Sequence, residues 1–454
     1  MEMTKKAVAS FLFILLIFSG ADTSVASDQD AMVLPELSST RLLNDLQVYV
    51  ASTPFLGDAM TIGLILRYGA AFDPANKGGV AYLTSQLLAK ATVDKTAKDI
   101  QDELKYLNSS LEVRCDWDGI RILLSGQSAS FERSLLFLYQ LVGEAKFDDE
   151  DFAGARSALL QQLQALSDPR QRIRSQFDVE LFRGTTYGRP MRGTPATVQN
   201  ITVGDIRYFY RRYFSPDQAS LVIVGNAPAE TVLQKSRRIW GVWVRGDDVP
   251  STFLQPREQG ARNIFLEDDP LSPAAQFVLG NLWPSRGDPM YYSATLAARM
   301  LQERLTLELP TSLLTAAAEA RRLSGPFYIQ GQAAAEEAFA EITKIIDTVD
   351  SFKESGQSPE KIAAAQTQWI EEFGKAIRTT DGICHALLDA ELYRLGVNYL
   401  ATFSDSVRRC SPALIKDAAK RYLFPGGLVL IVRGPAAILQ PQLESLGSVQ
   451  PLRR

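Results

Sequence analysis

A block of sequence occurs twice in this chain, and the duplication constrains the fold more than any other feature of the 454 residues. Each copy predicts a helix that ends in Arg-Tyr, then a proline, then a short apolar strand that ends in glycine. The matching positions are Arg212 and Arg421, Tyr213 and Tyr422, Pro216 and Pro425, and Gly225 and Gly434. Because all four pairs keep the same separation without a gap, we predict two homologous domains of about 200 residues each.

The segment 245–262 lies between the two copies and is rich in proline, glycine and charge. This composition is typical of a linker, so we predict an N-terminal domain at 28–244 and a C-terminal domain at 263–454. Apolar patterns predict a strand over Ala59–Tyr68 and a helix over Phe131–Gly143. Other local signals are a hairpin turn at 116–119, a helix stop near Asp168-Pro169, and a helix cap formed by Thr202 with Asp205 three residues later.

The N-terminus predicts a secretory signal peptide. Two lysines, Lys5 and Lys6, precede an apolar core at 7–18 that is too short to span a membrane. Small residues end at Ser27, so we expect cleavage after Ser27 and a mature periplasmic or secreted chain. An uncleaved anchor is the alternative. No later apolar run reaches membrane-spanning length, so we expect no stable membrane span.

Composition excludes some classes of function. The net charge is −4, so no basic excess indicates nucleic-acid binding. Cys115, Cys384 and Cys410 could form one disulfide at most, and their spacing does not say which. The single histidine, His385, predicts a packing or surface residue, because one imidazole and three scattered thiols make no zinc pattern.

Residues 77–92 predict a Gly-Gly turn that runs into a helix, on which Tyr82, Ser85 and Gln86 share one face at i, i+3 and i+4. Together with the preceding strand end at 66–74, this stretch resembles the segment that carries the inverted zinc motif His-x-x-Glu-His in the pitrilysin/insulinase family of metallopeptidases, which includes the mitochondrial processing peptidase. The resemblance implies an α/β (α+β) fold of two tandem homologous domains, each a mostly antiparallel sheet packed with helices.

The same resemblance places Tyr82 and Gln86 where two zinc-binding histidines would stand and Ser85 where the catalytic glutamate would be. The family's spacing puts Gln162 at the third zinc ligand, a glutamate. In an active site of this kind two imidazoles bind zinc while the carboxylate takes a proton from the zinc-bound water. Phenol and amide groups are poor zinc ligands, and a hydroxyl is no general base at neutral pH. We therefore expect no catalytic residue, no metal ligand and no cofactor in this chain.

Family members with one damaged motif often work in two-chain enzymes, in which the second half of the partner supplies an Arg and a Tyr. The matching stretch here puts Glu308 at the Arg position and Thr315 at the Tyr position, and Arg304 could serve if the helix shifts by one turn. Arg304 and Thr315 are the substrate-binding candidates.

The leading hypothesis is a non-catalytic subunit that joins an active, zinc-containing homologue as a heterodimer and helps to enclose peptide. An extended peptide could pair with an exposed sheet edge, for which Ala59–Tyr68 is the candidate. One alternative is an active metalloendopeptidase with unrecognised ligands, for which Asp116, Asp118 and Glu112 are the nearest carboxylates. The other is a stand-alone peptide-binding or scaffold protein.

Overall fold

The computed structural model describes residues 33–165, 168–246, 249, 254–258, 260–310, 313–424 and 426–452. The predicted signal peptide 1–27, part of the predicted linker 245–262 and Pro425 of the second repeat lie outside these residues. Within them, no helix combines the length and hydrophobicity needed to cross a membrane.

The first half of the chain forms a six-stranded sheet. Its strands are β1 (Glu36–Arg41), β2 (Gln47–Ser52), β3 (Ala59–Leu66), β4 (Ser110–Cys115), β5 (Ile120–Gln127) and β6 (Ala219–Gly225). Their order across the sheet is β1-β2-β6-β3-β5-β4, and β2 with β6 is its parallel pair. Strand β6 is buried throughout, which suits a continuous apolar run covered on both faces of the sheet.

The second half repeats this arrangement. Its strands are β7 (Asn263–Asp268), β8 (Ala274–Trp283), β9 (Thr315–Ala318), β10 (Gly325–Ala334), β11 (Val429–Gly434) and β12 (Val449–Pro451). Their order is β12-β7-β11-β8-β10-β9, so five strands follow the topology of the first sheet. The last three pairings are antiparallel, whereas β7 is parallel to both β11 and β12. The predicted fold class, two mostly antiparallel sheets packed with helices, is confirmed.

Helices cover both sheets. They are α1 (Val80–Leu87), α2 (Ala97–Tyr106), α3 (Phe131–Gly143), α4 (Asp149–Gln164), α5 (Pro169–Leu181), α6 (Pro195–Gln199), α7 (Val203–Tyr213), α8 (Ala229–Trp240), α9 (Tyr291–Glu308), α10 (Ala338–Ser355), α11 (Pro359–Ala376), α12 (Thr380–Tyr393), α13 (Tyr399–Arg408), α14 (Pro412–Tyr422) and α15 (Ala436–Leu443). Helix α7 begins as predicted, since Thr202 and Asp205 form a reciprocal capping box.

One helix from each half packs on the sheet of the other half. Helix α5 packs on β8 and β11, and α12 packs on β3 and β6. The chain from Leu34 onward therefore forms one compact unit. The predicted helix stop at Asp168 is also a start, because its carboxylate accepts the Arg170 N–H and caps α5.

Glycines in the central strands make room for the exchanged helices. A Cβ at Gly63 of β3 would clash with the Cys384 sulfur and lie 2.9 Å from Leu388 Cδ1, both on α12. A Cβ at Gly280 of β8 would collide with the Phe327 carbonyl oxygen of β10 and would lie 2.8 Å from the Phe177 ring on α5. Neither glycine has the left-handed conformation, so close packing requires the missing side chain, by α12 at Gly63 and by both β10 and α5 at Gly280.

The prediction that Ala59–Tyr68 is an exposed edge is wrong. Strand β3 lies inside the sheet, paired antiparallel with β5 on one side and with β6 on the other. The strands at the ends of this sheet are β1 and β4. Strand β6, more than 150 residues away in sequence, inserts between β2 and β3, and such long-range pairing leaves no mark in the local pattern.

Candidate functional site

Helix α1 starts from a tightly fitted turn. Gly79 precedes the helix at φ 104°, a left-handed conformation that favours glycine. A Cβ there would lie 2.8 Å from the Arg192 carbonyl oxygen, so the loop that contains Arg192 packs directly against the helix start. The Thr197 hydroxyl donates to the Gly78 carbonyl at 2.9 Å and fixes the same contact.

Asp73 holds the first turn of α1. Its carboxylate accepts the N–H of Gly79 at 2.6 Å and that of Ala81 at 2.8 Å, which satisfies two otherwise free donors of the helix. The side chain is buried, and burial raises its pKa to about 7 although the backbone donors oppose that shift. Asp73 therefore orients the helix that carries the motif positions.

The three motif positions on α1 do lie on one face, as predicted from their spacing. Tyr82 is half-buried, and the Arg192 guanidinium carbon lies 5.3 Å from the centroid of its ring. The Ser85 hydroxyl is buried and donates to the Tyr82 carbonyl within the same turn at 2.7 Å. Gln86 is exposed. Helix α4 packs beside α1, and its Gln162 is exposed as well.

These four side chains do not fit a zinc ion. They supply a phenol, a hydroxyl and two neutral amides, whereas zinc in proteins is bound by imidazole, thiolate and carboxylate. The Ser85 hydroxyl already donates to the backbone. Across the described residues, no three His, Cys, Asp or Glu side chains come together as a metal site. The four positions supply hydrogen-bonding groups, and none of them supplies a carboxylate or imidazole that could act as a general base.

A groove runs along the Ser85–Gln86 face of α1. It has a volume of about 830 Å³. Its lining comes from α1, α2, β4 and β5 and comprises Ser85, Gln86, Ala89, Gln101, Leu104, Lys105, Asn108, Ser109, Ser110, Leu111, Val113 and Ser125. Lys105 is the one charged residue of this lining, and its ammonium lies 3.4 Å from an Asp102 carboxylate oxygen. The groove is therefore a mostly neutral, hydrogen-bonding surface.

Strand β4 forms one side of the groove and is an edge of the first sheet. In an edge strand alternate N–H and C=O groups point away from the sheet and can pair with another strand. The equivalent edge of the second sheet, β9, differs because the Gln302 side chain of α9 accepts the Ala316 N–H. The two homologous edges are thus unequal, and the one beside α1 is the more open.

The carboxylates considered for an alternative metal site are engaged in ion pairs and hydrogen bonds. Asp116 pairs with Arg121, and Glu112 pairs with Arg114. Asp118 is buried, accepts the Tyr187 hydroxyl and, at 2.8 Å, accepts the Arg322 N–H.

The substrate-binding candidates of the second half, Arg304 and Thr315, are far from α1 in sequence and lie on different secondary-structure elements. Arg304 of α9 donates to Glu308 at 2.7 Å and to Ser351 of α10 at 3.0 Å. Thr315 is exposed at the start of edge strand β9. A role of Arg304 or Thr315 in binding peptide remains a prediction.

The cysteines and the histidine lie outside the groove lining. Cys115, Cys384 and Cys410 are free thiols. His385 is half-buried on α12, and burial lowers its pKa.

Sequence reasoning missed β4 as the edge, the groove residue Gln101 and the guanidinium of Arg192 above Tyr82. Arg192 lies in the turn Pro190–Gly193, and its contact with Tyr82 joins residues that are far apart in sequence.

Two family models match the chain. Residues 49–195 match the family described as Insulinase (Peptidase family M16), and residues 200–369 match the Peptidase M16 inactive domain. These matches cover parts of both halves of the duplicated fold.

Curated relatives are distant and longer than the matched region. An uncharacterized zinc protease of Rickettsia bellii is 20% identical over 50% of this chain and 55% of its own length. Zinc protease PqqE of Helicobacter pylori is 22% identical over 56% of this chain and 58% of its own length. The beta subunit of the mitochondrial-processing peptidase of Caenorhabditis elegans is 18% identical over 56% and 55%. The chain thus spans a little over half the length of these relatives.

Solved structures share the fold. A peptidase M16 inactive domain from Pseudomonas fluorescens has a TM-score of 0.79 at 18% identity and covers 88% of this chain and 98% of its own. A protease from Helicobacter pylori has a TM-score of 0.82 at 16% identity, with 89% and 100% covered. The periplasmic protease PqqL from Escherichia coli has a TM-score of 0.78 at 14% identity, with 92% and 48% covered. With both halves matched by models of one family and the fold shared with its solved members, this chain belongs to the insulinase family, peptidase family M16.

Proposed function

We propose that this protein is a catalytically inactive member of its family that binds extended peptides in the groove beside α1. The main support for this proposal is the chemistry of the side chains at the motif positions of α1 and α4. The family resemblance assigns Tyr82, Ser85, Gln86 and Gln162 to the positions of a zinc site, and these side chains supply only neutral groups. A peptide held there would meet hydrogen-bond donors and acceptors, and no activated water would cleave it.

The groove suits recognition of a peptide main chain. The side-chain amides of Gln86 and Gln101 make no hydrogen bond to other described residues, and each can both donate and accept. The open edge of β4 offers backbone partners to an added strand, while Leu111 and Val113 offer apolar contact. Affinity from main-chain hydrogen bonds is characteristic of β-strand addition.

The protein would act as the non-catalytic subunit of an exported peptidase complex. An active homologue with an intact His-x-x-Glu-His motif and its own zinc would cleave the peptide, and this chain would help to enclose it. Export is supported by the predicted signal peptide at 1–27 and by the likeness to a protease named as periplasmic. The likeness to a domain named as inactive supports the non-catalytic role.

The complex is tested by tagging the chain in its native source, purifying it and assaying peptidase activity with and without the co-purified proteins. We expect a homologue with the intact motif, chelator-sensitive activity in the complex, and neither zinc nor activity in the isolated chain. Stoichiometric zinc with chelator-sensitive activity in the isolated chain would refute the proposal.

Strand addition is tested with N-methylated peptides. Because only every second amide of an added strand faces β4, methylating the amides along one edge of the peptide should abolish binding. The same peptide methylated along its other edge is the matched control and should bind normally. Equal binding of the two peptides would exclude pairing with β4.

A further inference from the structure

Arg192 places a positive charge beside the α1 face that carries Tyr82, Ser85 and Gln86. Its guanidinium carbon lies 5.3 Å from the ring centroid of Tyr82, within the range of a cation–π contact. The side chain is exposed, and no carboxylate of the described residues lies within ion-pair distance of it. A guanidinium that is oriented by a ring and has no acidic partner is available to an anion from outside.

The backbone of Arg192 is fixed by the turn that carries it. The next residue, Gly193, donates its N–H to the Pro190 carbonyl at 2.8 Å and has a left-handed φ of 72°. A side chain at Gly193 would collide with the backbone of Gly78, so the turn lies directly on the start of α1. The backbone position from which the Arg192 side chain extends is therefore built into the fold beside α1.

The neighbouring groups favour an anionic ligand over a cationic one, and the anion that a peptide carries is a carboxylate. Gln86 follows Tyr82 by four residues, so it lies on the same face of α1 and can donate a second hydrogen bond. The groove lining contains Lys105 and no acidic residue. A planar guanidinium matches the two oxygens of a carboxylate, and such charge-assisted bonds are among the stronger ones in proteins.

We propose that Arg192 binds a carboxylate of the peptide beside Tyr82, with Gln86 of the groove lining on the same helix face, so that the protein prefers peptides with an acidic side chain or a free C-terminus at that point. This inference rests on the proposed peptide-binding function and names the class of peptide. In chemical terms, the guanidinium would bind the carboxylate through charge-assisted hydrogen bonds, without a metal ion.

The test measures binding of fluorescent peptides of about ten residues, composed of Ala, Ser and Val with paired Glu, Gln or Lys. Each peptide is made with a free and with an amidated C-terminus. We expect one carboxylate source, Glu or the free C-terminus, to improve affinity about tenfold over its neutral counterpart, and the advantage to shrink at high salt. The comparison in which a carboxylate improves the affinity shows whether the glutamate side chain or the free C-terminus supplies it.

Variants separate Arg192 from a general charge effect. Arg192→Gln should remove the tenfold preference without weakening the neutral peptide, and Arg192→Lys should restore part of it. Arg237→Gln is the matched control, because Arg237 is an exposed arginine on α8 without an ion-pair partner among the described residues.

The outcomes distinguish the two proposals. Peptides that bind without any preference for a carboxylate, or a preference unchanged in Arg192→Gln, would overturn the role of Arg192 and leave peptide binding intact. If no peptide binds the wild-type protein, with or without its co-purified partners, both the proposed function and this inference are wrong.

Discussion

The contact between Gly63 of β3 and the exchanged helix α12 yields a quantitative prediction. A Cβ at Gly63 would occupy the space of the Cys384 sulfur and would press on Leu388 Cδ1 at 2.9 Å. Both α12 residues are buried, so the strand and the helix would have to separate slightly. Overpacking of this kind costs about 1–3 kcal/mol, and we expect Gly63→Ala to lower the free energy of unfolding by that amount.

A double-mutant cycle tests the cause. Cys384→Ala alone removes one buried sulfur and should cost about 1 kcal/mol. In the double variant the new methyl group enters the space that the sulfur leaves. We therefore expect the double variant to be more stable than the sum of the single changes predicts, by about 1–2 kcal/mol.

Stability is measured by urea unfolding followed by circular dichroism, with the midpoints compared at unchanged slope. The matched control is Gly154→Ala on α4, where a Cβ meets nothing within 4 Å and should stabilise the helix by about 0.5–1 kcal/mol. A Gly63→Ala variant as stable as wild type, or a double variant whose effects simply add, would refute the reasoning.

Three further predictions concern Asp73 at the start of α1, the β9 edge of the second sheet, and the motif positions. Burial raises the pKa of Asp73 to about 7, above its ordinary value near 3.8, so its contribution to stability is full below about pH 4 and is lost as pH rises to about 7. Unfolding measured across that range should show wild type losing stability relative to Asp73→Asn, and parallel profiles would contradict the shift. Gln302→Ala should expose the Ala316 N–H and speed its hydrogen exchange at β9, whereas unchanged exchange would mean that the side chain does not protect it. A variant with the family's zinc ligands restored should bind about one zinc per chain in metal analysis while wild type binds none, and a folded variant without zinc would show that the positions no longer converge. Its changes are Tyr82→His, Ser85→Glu, Gln86→His and Gln162→Glu.

Local sequence signals determined helix α3, the start of helix α7 and the spacing of the motif. The apolar stripe of Phe131–Gly143 matches helix α3 residue for residue, and the Thr202–Asp205 pair forms the capping box that its spacing predicts. The i, i+3, i+4 relation of Tyr82, Ser85 and Gln86 needs only helical geometry. These features depend on atoms a few residues apart, so the sequence alone specifies them.

The tertiary structure decided which strand is open, which helix covers which sheet, and which charge faces the motif. The apolar sequence of β3 does not show whether the strand lies inside the sheet or at its edge. It lies inside because β6, from a distant part of the chain, pairs with it. Position 63 requires a glycine because α12 packs closely against it, and this contact exists only in the folded chain. In the same way, Arg192 lies over the Tyr82 ring because its turn packs on α1. Such contacts join residues that are far apart in sequence, and neither periodicity nor capping signals carry information about them.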